Sequence, residues 1–98
     1  MTDNVEITLN FDKTISNLTG NKYGRNEFDR QVKDNIEYDK KVILHFPDNI
    51  RNIASSFIQG FFDAMVKEIG ITGIESSIDM TSNSIPNVKE YILKKLKF

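Results

Sequence analysis

The feature that most constrains the fold is a short apolar run followed closely by a long helical pattern of apolar residues. The run Val42-Ile-Leu-His-Phe46 lacks polar alternation, and after a short turn apolar side chains recur at positions 57, 58, 61, 62, 65, 66 and 69. The run fits a central strand that is covered on both faces or flanked by strands, and the later spacing predicts an amphipathic helix over 57–69. Pro47 ends the strand because it has no amide for a ladder, and Gly70 is placed to follow the helix.

Two further elements are predicted before this strand. Apolar and polar residues alternate from Val5 to Leu9, which predicts an edge strand. From Asn26 onward apolar side chains recur every four residues as far as Ile36, which predicts a helix with Asn26 as its N-cap. The segment 11–23 mixes turn-forming residues with isolated apolar ones, and both a loop and a weak second strand are compatible with it.

The remaining third of the chain predicts a strand and a closing helix. Apolar residues alternate within 71–80, which predicts a strand with weaker burial, and a turn follows at 82–84. Pro86 marks the start of a helix whose last turn carries Lys94 and Lys95. The alternating order predicts an α/β fold: a small, mainly parallel or mixed sheet of about four strands with three helices, in a single domain over 1–98.

The composition disfavours several classes of partner. The 98 residues are 39% hydrophobic and 28% charged, which is ordinary for a globular chain. Thirteen basic and fourteen acidic residues give a net charge of −1, so no overall field attracts nucleic acid. No apolar run approaches the roughly 20 residues that span a bilayer, and the first residues lack the segments of a secretion signal. We therefore expect a cytoplasmic protein that binds neither nucleic acid nor membrane.

Cysteine is absent and histidine occurs once, at His45. Without cysteine there is no disulfide or zinc finger, and one histidine without clustered acids is no metal site. A nucleophilic serine would need a base, but His45 lies within the predicted strand and the G-x-S-x-G motif is missing. We expect no metal, no cofactor and no catalytic residue, and hence a protein that is not an enzyme.

Two adjacent serines stand where the predicted strand leads into the helix. Ser56 is followed three residues later by Gln59, which is the spacing of a capping box and leaves Ser55 as the freer hydroxyl. A phosphate on either serine would meet unpaired amides and the positive end of the helix dipole. The residues alone leave two interpretations open, a structural cap or a pair of phosphorylation candidates, Ser55 and Ser56.

A family resemblance is carried by Val42-Ile-Leu-His-Phe46, Ile50, Ile53-Ala-Ser-Ser-Phe57, Gly60, Phe61, Phe62 and the downstream Gly70-Ile71, and its distinctive residues are confined to about 42–62. These residues resemble the uncharacterised STAS-like domain family, a small prokaryotic relative of the sulfate transporter and anti-sigma factor antagonist domain. The resemblance follows the element order over roughly residues 24 to 98. His45 replaces an acid that is common in the family. In the wider group the helix opens Asp-Ser-Ser-Gly or Asp-Ser-Thr-Gly, and here Ala54 and Phe57 replace the flanking residues.

This resemblance implies a STAS-like fold and a non-enzymatic regulatory protein–protein interaction module similar to an anti-sigma factor antagonist. In the wider group an ATP-binding serine kinase is both the partner and the enzyme that phosphorylates one serine. The resemblance therefore implies an ATP-binding serine or histidine kinase-like partner. The implied contact residues are Asp48, Asn49, Arg51, Asn52, Ser55, Ser56 and Gln59. The alternative is a stand-alone inhibitor or adaptor, for instance phage-encoded, that binds a protein sterically without a phosphorylation switch.

Overall fold

A computed structural model describes residues 4–97, so the terminal residues on which the expectation of no secretion signal partly rests lie outside it. The described residues form five strands and four helices that are interspersed along the chain. In chain order these elements are β1 (Asn4–Thr8), β2 (Asn17–Leu18), α1 (Asn21–Gln31), β3 (Lys41–His45), β4 (Asn52–Ile53), α2 (Ser55–Phe61), α3 (Asp63–Ser77), β5 (Ile78–Thr81) and α4 (Val88–Leu96). The prediction of an α/β fold is confirmed.

The main sheet has the order β1-β3-β5, and both of its pairings are parallel. The prediction that 42–46 forms a central strand is confirmed, since β3 is flanked on both sides, and β1 is an edge strand as predicted. The segment 11–23 contributes β2, which pairs in parallel with β4 over two residues. Among residues 4–97 the strands therefore form a three-stranded and a two-stranded sheet rather than one sheet of about four strands.

One face of the main sheet carries the core. The register aligns Val42 with Ile78 and Leu44 with Met80, and Val42, Leu44 and Ile78 are fully buried. Three phenylalanines from the start of the long apolar pattern belong to the same hydrophobic core cluster. Phe57, Phe61 and Phe62 are at most 1% exposed, and Phe61 stacks on Phe57 with ring centroids 5.5 Å apart. Burying each such ring contributes about 1.5–3 kcal/mol.

The helix predicted with Asn26 as its N-cap begins at Asn21, six residues earlier than such a cap implies, so this prediction of the cap is wrong. Gly20 occupies the capping position with φ 103°, and no side chain caps the helix there. The helix also ends at Gln31, before the predicted Ile36. The four-residue spacing identified one apolar face, but the first turn of α1 packs through Gly24, which a hydrophobicity pattern does not register.

The helix predicted over 57–69 is two helices. The first, α2, starts at Ser55 and ends at Phe61, and α3 follows from Asp63. Gly70 interrupts the helical geometry with φ 73° and ψ 169°, but helix resumes and continues to Ser77. The prediction of a strand over 71–80 is therefore wrong for 71–77 and correct for Ile78–Thr81. Four helices replace the predicted three within the described residues.

Candidate functional site

The loops that follow the parallel strands lie at one edge of the main sheet. In parallel sheets the carboxyl ends of the strands share an edge, and this is where α/β proteins usually place their sites. Pairing of β2 with β4 joins two of these loops, since the amides of Arg51 and Ala54 donate to the carbonyls of Ser16 and Leu18, both at 2.8 Å. The backbone of the predicted site is thus fixed by hydrogen bonds to a neighbouring segment.

Asp48 and Asn49 hold the loops together. The side-chain nitrogen of Asn49, Nδ2, donates to the backbone carbonyl oxygens of Asp12 and Ile15 at 3.0 and 2.8 Å. The carboxylate oxygen Oδ1 of Asp48 accepts a hydrogen bond from the side-chain nitrogen of Asn83 at 3.1 Å. The backbone carbonyl of Asp48 accepts a hydrogen bond from the hydroxyl of Ser84. Asn49 is half-buried, so its main role is to fix the loop that precedes β4.

Ser55 and Ser56 are both exposed, as an accessible switch requires. The predicted capping box is wrong, because the helix starts at Ser55, two residues earlier than a cap at Ser56 needs. Ala54 occupies the capping position in extended conformation, and no side chain caps α2. The β2–β4 pairing carries extended backbone to Ile53, so the helix can begin directly at Ser55.

Ser56 instead connects the two helices that bracket the site. Its Oγ accepts the backbone N–H of Gly20, just before α1, at 3.0 Å. Glycines hold the same helices in close contact: a Cβ on Gly24 would lie 2.8 Å from the amide nitrogen of Phe61, and a Cβ on Gly60 would lie 2.8 Å from the carbonyl carbon of Asn21. The start of α2 therefore rests directly on the backbone of α1.

A cluster from α4 lies on the other side of the serine junction. The hydroxyl of Tyr91 is 2.9 Å from Asn52 Oδ1 and 3.0 Å from the carbonyl oxygen of Ile53. Lys95 Nζ donates to that carbonyl and to the Tyr91 hydroxyl, both at 2.9 Å. The sequence places Lys94 and Lys95 at a helix end, but no signal in it brings either lysine beside Ser55.

Six of the seven predicted contact residues are exposed: Asp48, Arg51, Asn52, Ser55, Ser56 and Gln59. The seventh, Asn49, is only partly accessible. All seven lie on the chain from the end of β3 to the middle of α2, so the structure places them on one continuous segment. Four of them, Asp48, Asn49, Asn52 and Ser56, also make the structural hydrogen bonds given above.

His45 lies away from this segment, on the face of the main sheet opposite the core. Its Nε2 is 2.9 Å from Glu6 Oε1, and its Nδ1 is 2.6 Å from Thr81 Oγ1. These three side chains connect β1, β3 and β5. In the neutral ring, a proton on Nε2 allows this nitrogen to donate to a Glu6 carboxylate, which only accepts hydrogen bonds, and leaves Nδ1 to accept the Thr81 hydroxyl. We interpret this array as a structural link between strands.

Within residues 4–97, no group of three or more histidine, aspartate or glutamate side chains is placed to hold a metal ion. No helix in that part of the chain is long and apolar enough to cross a membrane.

The fold and this segment define a small α/β protein with an exposed serine pair at the carboxyl edge of a parallel sheet. No family model matches the chain, and neither curated proteins nor solved structures show a significant match to it. The resemblance to STAS-like domains therefore stays a prediction from the sequence.

Proposed function

We propose that this protein is a cytoplasmic, non-enzymatic regulatory module of STAS-like type that binds a protein partner through the segment 48–59. The observation that carries the proposal is the exposure of both Ser55 and Ser56 on a junction whose backbone is held from two sides. Recognition residues are often found on loops that a rigid scaffold positions. Preorganised polar groups of this kind reduce the entropy lost when a partner binds.

The proposed partner is an ATP-binding serine or histidine kinase-like protein. In the transfer step, the bond between the γ-phosphorus of ATP and its bridging oxygen breaks as a bond to the serine Oγ forms. ADP leaves, and the hydroxyl proton passes to a base on the kinase. The product carries about 1.5–2 negative charges at the contact surface, which weakens a complex formed with the unmodified surface through repulsion and desolvation.

The test uses any kinase-like protein that sequencing finds encoded beside this chain. Each is incubated with the purified protein and ATP, phosphopeptides are mapped by mass spectrometry, and complex formation is measured by calorimetry. We expect phosphate on Ser55 or Ser56 and a complex that weakens after modification. Ser76→Ala, an exposed serine on α3, is the matched control and leaves both results unchanged. Absence of both complex and phosphate with every candidate would refute the proposal.

The rival function is a steric inhibitor or adaptor without a covalent switch. The specific observation in its favour is that Ser56 already has a structural role as acceptor for the Gly20 amide. Ser55→Ala and Ser55→Asp discriminate between the two functions. A switch loses regulation with alanine and loses the partner with aspartate, whereas a steric adaptor keeps its partner with both.

A further inference from the structure

A cavity of about 430 Å³ opens beside one of the two serines. It is lined by Ser55, Tyr91, Lys94 and Lys95. Ser55 is the first residue of α2, and the other three belong to α4. None of these four lining residues carries a negative charge, and two of them carry a positive one. Ser56 does not line the cavity, so the two serines face different surroundings.

Lys95 is held in place at the cavity wall. Its ammonium group donates to the carbonyl of Ile53 and to the hydroxyl of Tyr91, both at 2.9 Å, and lies 4.3 Å from the centre of the Tyr91 ring. An ammonium has three donors, so these two contacts leave one available. Ile53 precedes Ser55 by two residues, a span of at most about 7 Å of chain. Lys95 is therefore fixed within reach of a group attached to Ser55.

Lys94 supplies the second positive charge. Its side chain is exposed, lines the same cavity, and forms no ion pair with any residue in the range 4–97. The Ser55 hydroxyl likewise has no hydrogen-bond partner in that range, whereas Ser56 Oγ accepts the Gly20 amide. The cavity thus combines an unpaired hydroxyl, an unpaired lysine and a lysine that is already oriented.

We propose that this cavity is the binding site for the phosphate of phosphorylated Ser55, with Lys94 and Lys95 as its ligands. The inference rests on the proposed function only for the identity of the modification. Lysines bind phosphate as point charges, and a phosphate ester offers three acceptor oxygens to them. The attraction for phosphate is assigned to the two lysines of α4 and not to the dipole of α2, because α2 is a short helix of seven residues.

The phosphate of phosphorylated Ser55 would then be bound by lysines of the same protein. Phosphate in the cavity connects the start of α2 to the last turn of α4 and neutralises both lysines. A partner would then encounter a changed charge pattern on both elements, and Ser55 rather than Ser56 is the site of the switch.

The experiment incorporates phosphoserine genetically at position 55 or, as the matched control, at position 56. The phosphate is titrated by phosphorus-31 NMR in the folded protein and again in urea. We expect the phosphate at position 55 to bind its second proton at least about threefold more weakly in the folded protein than in urea, the scale of a partly exposed ion pair. The phosphate at position 56 should change less on folding.

Lysine variants identify the ligands. Lys94→Gln and Lys95→Gln should each return the titration of the phosphate at position 55 toward its value in urea. Lys97→Gln removes a charge from the end of the same helix outside the cavity and should leave the titration unchanged. The proposal would be overturned if the phosphates at positions 55 and 56 titrate identically, or if Lys94→Gln and Lys95→Gln leave the titration at position 55 unchanged. It would also be overturned if the protein modified at position 55 fails to fold while the one modified at position 56 folds. Neither kinase nor partner is needed, so this result is independent of the test of the proposed function.

Discussion

Replacing Gly24 by alanine tests the contact between α1 and α2 on which the serine junction depends. The added methyl group would lie 2.8 Å from the amide nitrogen of Phe61 and closer still to the carbonyl oxygen of Phe57. Both are backbone atoms, and real Cβ atoms essentially never approach within 3.0 Å. The helices must therefore move apart, because no side-chain rotation can relieve these contacts.

The magnitude follows from the contacts that the movement loosens. A separation of roughly half an ångström forfeits about a quarter of the dispersion energy at each contact. The affected interface includes the Phe28–Phe61 and Tyr23–Phe57 ring pairs, with centroids 5.8 and 5.5 Å apart. Overpacking of this kind costs about 1–3 kcal/mol, and each aromatic pair is worth about 0.5–1.5 kcal/mol. Alanine recovers about 1 kcal/mol of helix propensity. Adding a quarter of the two ring-pair energies to the overpacking cost and subtracting the propensity gain, we expect a net loss of about 0.5–3 kcal/mol.

Urea unfolding monitored by circular dichroism measures this loss. In a thermal melt of a domain of this size, the melting temperature should fall by about 2–24 °C. Asn26→Ala, at an exposed position of the same helix, is the control and should be neutral or stabilising by up to about 0.5 kcal/mol. If Gly24→Ala is as stable as the parent with an unchanged urea dependence, the two helices are not in backbone contact and our account of the junction is wrong.

Three further predictions address individual hydrogen bonds. Ser56→Ala should lower the free energy of unfolding by about 0.5–1.5 kcal/mol, because the Gly20 amide loses its acceptor. Ser55→Ala should change the free energy of unfolding by less than about 0.5 kcal/mol. Urea titration that shows the reverse order would contradict the assignment of the hydrogen bond. Nitrogen-15 NMR of neutral His45 should show the proton on Nε2, where it can be donated to Glu6. Thr8→Ala, on the same face of the sheet, is the control and should leave that tautomer unchanged. A proton on Nδ1 would exclude the hydrogen bond from Nε2 to an ionised Glu6. The backbone and side-chain hydrogen bonds from Thr14 hold the pKa of Asp12 below 3.8, so Asp12 stabilises the fold above that pH and the effect is lost as the pH falls through the folded pKa. Carboxyl NMR should show the Asp12 pKa rising in Thr14→Ala, and an unchanged pKa would refute the role of Thr14.

The sequence predicted the elements whose pattern is set by apolar burial. The strand β3, the edge strand β1 and the helix α4 lie close to where periodicity placed them, because each buries a regular stripe. The start of α1 was missed because its contact with α2 is made by Gly24, whose missing side chain is what permits the contact. Hydrophobic periodicity records large side chains and so overlooks interfaces of this kind.

The region after Gly70 shows a second limit of periodicity. Glycine at φ 73° was expected to end a helix, and it does interrupt one, but a new helical segment begins immediately and continues to Ser77. The apparent alternation across 71–80 combined the apolar face of that segment with the true strand that begins at Ile78. A left-handed glycine permits either a stop or a change of direction, and only packing against the sheet decides between them.

The exposure of the serine pair could be anticipated from the sequence, but the surroundings of the two serines could not. Exposure of Ser55 and Ser56 follows from a strand that leads into a helix, which is a local pattern. The capping box failed because the pairing of β2 with β4, which depends on residues 34 or more positions apart, sets where α2 begins. From the sequence, the lysines of α4 were predicted only to complement the dipole at the end of their helix. Their proximity to Ser55 could not be predicted, because it is a property of the tertiary fold.

His45 explains why recognition is expected at the loops rather than on the open sheet face. Parallel sheets are usually covered on both faces, yet Ile43 and His45 of β3 are only partly buried while Val42 and Leu44 are fully buried. The uncovered face satisfies its polar groups internally, because His45 is paired with Glu6 on one neighbouring strand and with Thr81 on the other. A partner docking there would have to desolvate or break these pairs, and an unpaired buried polar group is costly. Within residues 4–97 the Ser55 hydroxyl and the Lys94 ammonium have no such pairs to break, which supports the proposal that a partner binds at the loops.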